Sequence, residues 1–447
     1  MKQIIYQALP RLWGKGHFSD WTGKAFSYLK TLGVDYLWLT GVPRHESGTP
    51  FTKGCPGSPY AIIDWYDVNP YLADNEDKRM HEFELLIKRA HLAGIKIMID
   101  YIPNHVGRSY AGDLPCFDHC DGDWTDTRKV NWNDPSTVDK MVDILCFWAN
   151  KGIDGFRCDM VELVSAEALG EVVRRTRSAF PGLVFVAETY IKENYRRYLS
   201  TSSIDILYDK SGSYDILRAI SNGNCSATAL TSNWQWQAEI QGAMLNFLEN
   251  HDEQRLASRF WNNGRRYPWA ELAFSVLFNE ASFMLYYGQE WMDDAAETDN
   301  GRTSIYDFTS PSGVRRAAHF ARTGKAIKLN DAADTDSLDC YRRYLELMQT
   351  AASPLMRQGS NWDLCYLQND CKWNRDNMFA FARYDGHGAA VVICNFSDSD
   401  TELSVRLPEE LLKYTGGMRS INMEARAGDY SIIYFWDTCK LPWHNVT

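Results

Sequence analysis

No stretch of this chain reaches the roughly 18 consecutive apolar residues of a membrane-spanning helix, which argues against a membrane protein. Positive charge is in deficit, 47 Lys and Arg against 58 Asp and Glu, and the net charge of -11 would repel a phosphate backbone. No basic stripe offsets it, so nucleic acid is excluded as a partner. Polar low-complexity tracts are missing too, and 45% hydrophobic with 23% charged residues describes a chain folded throughout. Met1-Lys2 runs straight into Ile4-Ile5-Tyr6 with no long apolar region or small-residue cleavage site, so no signal peptide is expected. A paired cysteine framework is also lacking: the 11 cysteines are odd in number and scattered. Free thiols in a reducing compartment follow, and a cytoplasmic protein is expected.

At 447 residues the chain exceeds what one core fills, so a large domain of roughly 300 residues plus a smaller one is expected. Short β-rich apolar runs alternate with longer segments of helical period, the pattern of parallel strands joined by crossover helices. Strands are predicted at residues 4–8, 36–40, 96–101, 155–158, 184–187, 206–208, 244–248 and 283–287. Helices are predicted at 80–93, 138–150 and 165–180, the last stopped by Pro181-Gly182. The fold class is α/β, a (β/α)8 TIM barrel whose active site lies at the C-terminal ends of its strands. From about Met356, alternating runs at 379–384, 390–396 and 431–436 read as a C-terminal antiparallel β-sandwich. The expected division is a barrel at 1–105 and 134–355, a short excursion after strand three at 106–133, and the sandwich at 356–447.

Chemistry gathers where the strands end. Strand three leaves its apolar run through Asp100 to Asn104-His105. In strand four, Arg157 and Asp159 stand two residues apart and project to one side, while Cys158 projects to the other. Strand five ends in Glu188, and strand seven runs out through Glu249-Asn250-His251-Asp252. Three carboxylates, two histidines and an arginine thus converge on one barrel mouth. That set fits glycoside hydrolysis, in which one carboxylate attacks the anomeric carbon and a second protonates the departing oxygen. Retention of configuration needs the two roughly 5 Å apart, a spacing that neighbouring strands supply. An arginine beside the nucleophile keeps it ionised.

In order and spacing, the segments Asp100 to His105, Gly155 to Glu162, Phe185 to Glu188 and Phe247 to Asp252 resemble the four signature regions of the α-amylase family, glycoside hydrolase family thirteen. The likeness is to an intracellular, bacterial-like member with a short domain B. Gly33 to Leu39 is similar to the family's second strand, Ser58-Pro59-Tyr60 to the loop after it, and Tyr286 to Glu290 to the end of the eighth strand. The resemblance implies Asp159 as nucleophile, Glu188 as general acid/base and Asp252 as the third carboxylate, holding the sugar in a distorted, oxocarbenium-like form. It also implies that Tyr60 stacks on that sugar, that His105 and His251 bond its hydroxyls, and that Arg157 orients Asp159. The implied substrate is an α-glucan or maltooligosaccharide, and the chemistry requires no cofactor. Members often bind calcium around the Asn of the first region. Asn104 is therefore a calcium candidate, with Asp113, Asp118, Asp121, Asp123 and Asp126 as ligands or merely solvated loop acids.

One departure stands out. Many starch-degrading members carry Lys-His after the nucleophile, where this chain reads Met160-Val161-Glu162-Leu163, on the leaving-group side of the cleft. Linkage preference stays open for that reason. Cys116 and Cys120 flank His119 but lack a second ligand pair at zinc spacing, so they read as loop thiols. Cys158 reads as barrel wall. Trp234, Trp236 and Trp261 are sugar platforms or ordinary packing, Glu249 is a weaker third acid than Asp252, and Asp299-Asn300-Gly301-Arg302 is a rim loop. The alternatives are a transglycosylase or disaccharide isomerase with the same residues, and an inactive glycan-binding module, which would be expected to have lost a carboxylate.

Overall fold

The computed structural model describes residues 2–122, 124–295 and 300–436. Eight parallel strands close into a barrel: β1 (Ile4–Ala8), β2 (Tyr36–Leu39), β3 (Lys96–Tyr101), β4 (Gly155–Cys158), β5 (Val184–Ala187), β6 (Ile206–Tyr208), β7 (Met244–Asn246) and β8 (Ser282–Tyr286). Each pairs with its neighbours in sequence, and β8 closes on β1 with Ile4 beside Phe283. Their near-continuous apolar sequences fit this place, because helices cover the outer face and side chains fill the inside. All five residues of β1 are buried.

The strand ends match the sequence reading to within one residue except at β7, predicted to residue 248. Its ladder to β8 holds only Leu245 and Asn246, and beyond it Asn250 Oδ1 accepts the N–H groups of Asp252 at 2.8 Å and Glu253 at 2.9 Å. That side-chain turn takes the backbone out of strand geometry. The helix Ala166–Ala179 starts one residue after the predicted Ser165, which caps it: Ser165 Oγ accepts the Ala168 N–H at 3.1 Å. Its Leu169, Val172, Val173 and Thr176 bury one face.

After β3 the chain builds a three-stranded antiparallel sheet with Trp124–Val130 between His105–Gly107 and Cys116–Asp121. Cys116 and Cys120 therefore lie on a strand rather than in a loop, paired with Val130 and Arg128. The ten cysteines described are all free thiols.

C-terminal strands β9 (Ser360–Asp363), β10 (Met378–Tyr384), β11 (Gly388–Asn395) and β14 (Tyr430–Trp436) form one sheet, and β12 (Thr401–Arg406) pairs with β13 (Ser420–Ala425) in another. Strand alternation divides the first sheet between two cores. Met378, Ala380, Ala382, Val391 and Ile393 pack with Leu403, Val405 and Met423 of the second sheet. Phe379 and Phe381 face the other way, edge-on to Phe274 and Phe278 of the barrel's outer layer.

Candidate active site

Asp159 and Glu188 are each the first residue past a strand, and the barrel ladder still holds them. The Asp159 N–H donates to the Tyr101 carbonyl at 2.9 Å and the Glu188 N–H to the Cys158 carbonyl at 3.0 Å. Both carboxyls reach Arg157, which is fully buried: Nη1 lies 2.5 Å from Asp159 Oδ1 and Nη2 2.9 Å from Glu188 Oε1. Asp100 stands 3.6 Å from the same guanidinium and accepts the Trp38 indole N–H at 3.1 Å. The rings of Trp38, Tyr60 and Tyr208 lie 5.2, 5.6 and 5.5 Å from Arg157 Cζ. Burial works against the Arg157 charge, but Glu188 and the neighbouring acidic groups outweigh it.

Asp100, Asp159 and Glu188 crowd this one guanidinium, and Asp252 feels it together with Arg302. Burial pushes Asp159 well above the usual carboxylate range and Glu188 adds to the push, against the pull of Arg157. Burial also raises Asp100 to about 7. Asp252 is pushed up to about 7 by burial and then by Glu188, although its side chain is 44% exposed at the rim and water screens part of that effect. Like charges packed this closely oppose one another's ionisation.

His251 is held neutral by burial and by Arg157. Gln7 Nε2 donates to its Nδ1 at 2.7 Å, so the ring's proton is on Nε2, 2.5 Å from the Tyr60 hydroxyl and 3.2 Å from Asp252 Oδ2. Tyr60 stacks on the His251 ring at 5.2 Å. Across the cleft, His105 packs near the Trp124 ring at 5.9 Å. Tyr60, His105, Asp159, Glu188, His251 and Asp252 line one cavity of about 290 Å³, with Arg157 buried behind them.

The structure also brings in residues the sequence reading missed. Gln7 orients His251 from β1. Lys53, paired at 2.8 Å with the buried Asp126, lines the cleft with Trp124, Tyr306 and Tyr190. Tyr190 carries a legible signal, since it stands two residues after Glu188, the spacing that pairs Arg157 with Asp159. The others come from segments remote in the chain and carry none.

Several candidates lie elsewhere. Glu249 is buried against Arg255, with Nη1 to Oε2 at 2.8 Å. Trp261 is buried, Trp234 bonds Gln241, and Trp236 packs on Lys192 and Arg196; none lines the cleft. Cys158 is buried in the barrel wall, where burial pushes its thiol up. Asp299 lies outside the described residues, while Arg302 donates from Nε to the Asp252 carbonyl at 2.7 Å.

Among the described residues, the groups weighed as calcium ligands with Asn104 are engaged elsewhere. The Asn104 carbonyl accepts the Val130 N–H at 2.9 Å. Asp113 is paired with Lys140 and Asp126 with Lys53, and Asp118 is exposed near Arg128. Asp123 and the Asp121 side chain lie outside the described residues. Among the described residues no group of three or more His, Cys, Asp or Glu is placed to hold a metal ion.

Comparison with known proteins completes the picture. The profile of the alpha amylase catalytic domain matches residues 15–113 and 120–319. The chain belongs to the alpha-amylase family. The family's C-terminal all-beta domain also matches, at residues 369–417. This alpha-amylase family member is a glycoside hydrolase acting on α-glucosidic bonds. It is 22% identical to the trehalose-6-phosphate hydrolase of Bacillus subtilis, over 96% of this chain and 95% of that one. It is 26% identical to alpha-amylase MalA of Haloarcula japonica, over 85% of this chain and 52% of that one. It is 23% identical to the oligo-1,6-glucosidase of Parageobacillus thermoglucosidasius, over 64% of each chain. Among solved structures, an Anoxybacillus alpha-amylase has the same fold at a TM-score of 0.74 and 18% identity, over 98% of this chain and 99% of that one. Among the described residues no helix is long and apolar enough to cross a membrane.

Proposed function

We propose that this enzyme hydrolyses α-glucans or maltooligosaccharides with retention, using Asp159 as nucleophile and Glu188 as general acid/base. The observation that carries the assignment is the grip of one guanidinium on both carboxyls. Asp159 and Glu188 pair with adjacent nitrogens of Arg157, which supports the close spacing of roughly 5 Å that a retaining pair needs. In the first step Asp159 bonds the anomeric carbon as its bond to the leaving oxygen breaks, and a proton passes from Glu188 to that oxygen. In the second step Glu188 takes a proton from water, whose oxygen replaces Asp159 at the anomeric carbon. Asp252, at the rim, supports the ring as it gains oxocarbenium character, with Tyr60 beneath the sugar and His105 and His251 on its hydroxyls. The carboxylates carry the chemistry without a cofactor. We take residues 1–105 and 134–355 as the catalytic barrel, 106–133 as the excursion and 356–447 as the C-terminal domain.

The test is product analysis by chromatography and proton NMR of wild type and Asp159→Asn on maltoheptaose, isomaltotriose, pullulan and trehalose. Wild type is expected to release α-configured sugars from at least one, and Asp159→Asn to lose at least about a thousandfold in rate. A fully active Asp159→Asn would end the assignment. An inert wild type would move the binding-module reading to the front, and products with new linkages would favour the transglycosylase.

A further inference from the structure

The loop after β5 makes contacts that these roles do not use. Tyr190 donates its hydroxyl to Glu188 Oε1 at 2.8 Å, while the residue is 42% exposed on the cleft wall. Burial and then Glu188 push this phenol up, so it remains a donor. Its backbone is fixed from the other side. Glu162 accepts the N–H of Tyr190 at 2.8 Å, the N–H of Ile191 at 3.2 Å and the Asn194 side-chain amide at 2.9 Å.

Glu162 belongs to the stretch that departs from the Lys-His pattern, and its oxygens are committed to this loop. Two residues earlier, Met160 takes the left-handed conformation at φ 43°, strained for a residue with a side chain, and donates its N–H to Glu188 Oε2 at 2.8 Å. Segment 160–162 therefore grips Glu188 twice, directly at Oε2 through Met160 and at Oε1 through Glu162 and Tyr190.

We propose that Tyr190, clamped by Glu162, is a positioning residue that stabilises Glu188 in the state it reaches after giving its proton to the leaving group. The inference rests on Glu188 as the general acid. As the sugar's bond to the leaving oxygen breaks and the proton crosses to that oxygen, negative charge develops on the Glu188 carboxylate. The phenol and the Met160 N–H already point at its two oxygens, and both bonds strengthen as that charge appears. Without the phenol, that developing charge loses one of its two donors.

The test is kcat/KM against pH for wild type, Tyr190→Phe and Glu162→Gln. Each is measured on a maltooligosaccharide and on an aryl α-glucoside whose phenol leaves without protonation. Tyr190→Phe is expected to slow the maltooligosaccharide about tenfold and to move the alkaline limb to higher pH, with a much smaller loss on the aryl glucoside. Glu162→Gln is expected to move the limb in the same direction. Profiles of Tyr190→Phe and wild type that superpose, or equal losses on both substrates with the limb unmoved, overturn the inference while leaving the hydrolase standing. A wild type inert on every sugar overturns both.

Discussion

Asp100 shows how closely charge is balanced in this site. It is 2% exposed, and burial raises its carboxyl from an ordinary 3.8 to about 7. Such a group binds its proton more tightly in the native chain than in the unfolded one. Its contribution to stability is full below pH 3.8 and is lost as pH rises through 7. Asp100→Asn lacks that titration. Its stability relative to wild type, from denaturant unfolding, should climb between pH 4 and 7 and level off above about pH 8, by at most about 4 kcal/mol. A difference that stays flat across the series would show that Asp100 does not titrate there. At this scale much was legible from order alone: Arg157 and Asp159 share a side of β4 by strand alternation, and the same rule turns Cys158 into the wall. Gln7 was not legible, because nothing in a polar residue within an apolar strand says which ring it will meet across the barrel.

At the scale of elements, the helix Ala166–Ala179 follows the nucleophile strand and depends on its cap. Ser165 satisfies one of the otherwise unpaired N–H groups of its first turn. Ser165→Ala should cost about 1 kcal/mol, read as a lower urea midpoint with an unchanged slope, and Ser165→Asp should restore most of it. An unchanged midpoint in Ser165→Ala would mean that water replaces the cap. Periodicity and capping residues made this helix legible to within a residue at each end. The end of β7 was not, because the apolar Phe247-Leu248 continues a strand pattern while Asn250 has already turned the chain. Strand patterning reports burial, and both residues are buried.

Across the whole molecule, the C-terminal sheet is held by two cores. Phe379 lies edge-on to Phe274 and to Phe278, each at 5.0 Å, so it joins the sheet to the barrel's outer layer. Phe379→Ala should lower stability by about 3–5 kcal/mol, measured by denaturant unfolding. A loss below about 1 kcal/mol would mean that the sheet does not brace the barrel. The alternation of β10 showed that one side of each strand would be buried. That both sides are buried, each against a different partner, came only from packing.

The sequence by itself determined the barrel, because the order of apolar runs and helical periods admits few ways of closing parallel strands. It also determined which strand ends carry the carboxylates, since those are neighbours along the chain. Only the tertiary structure decided how the acids share Arg157, that Lys140 and Lys53 pair with Asp113 and Asp126, and that Glu162 serves Tyr190 rather than the cleft. These depend on distances between segments far apart in the chain, which local periodicity does not encode.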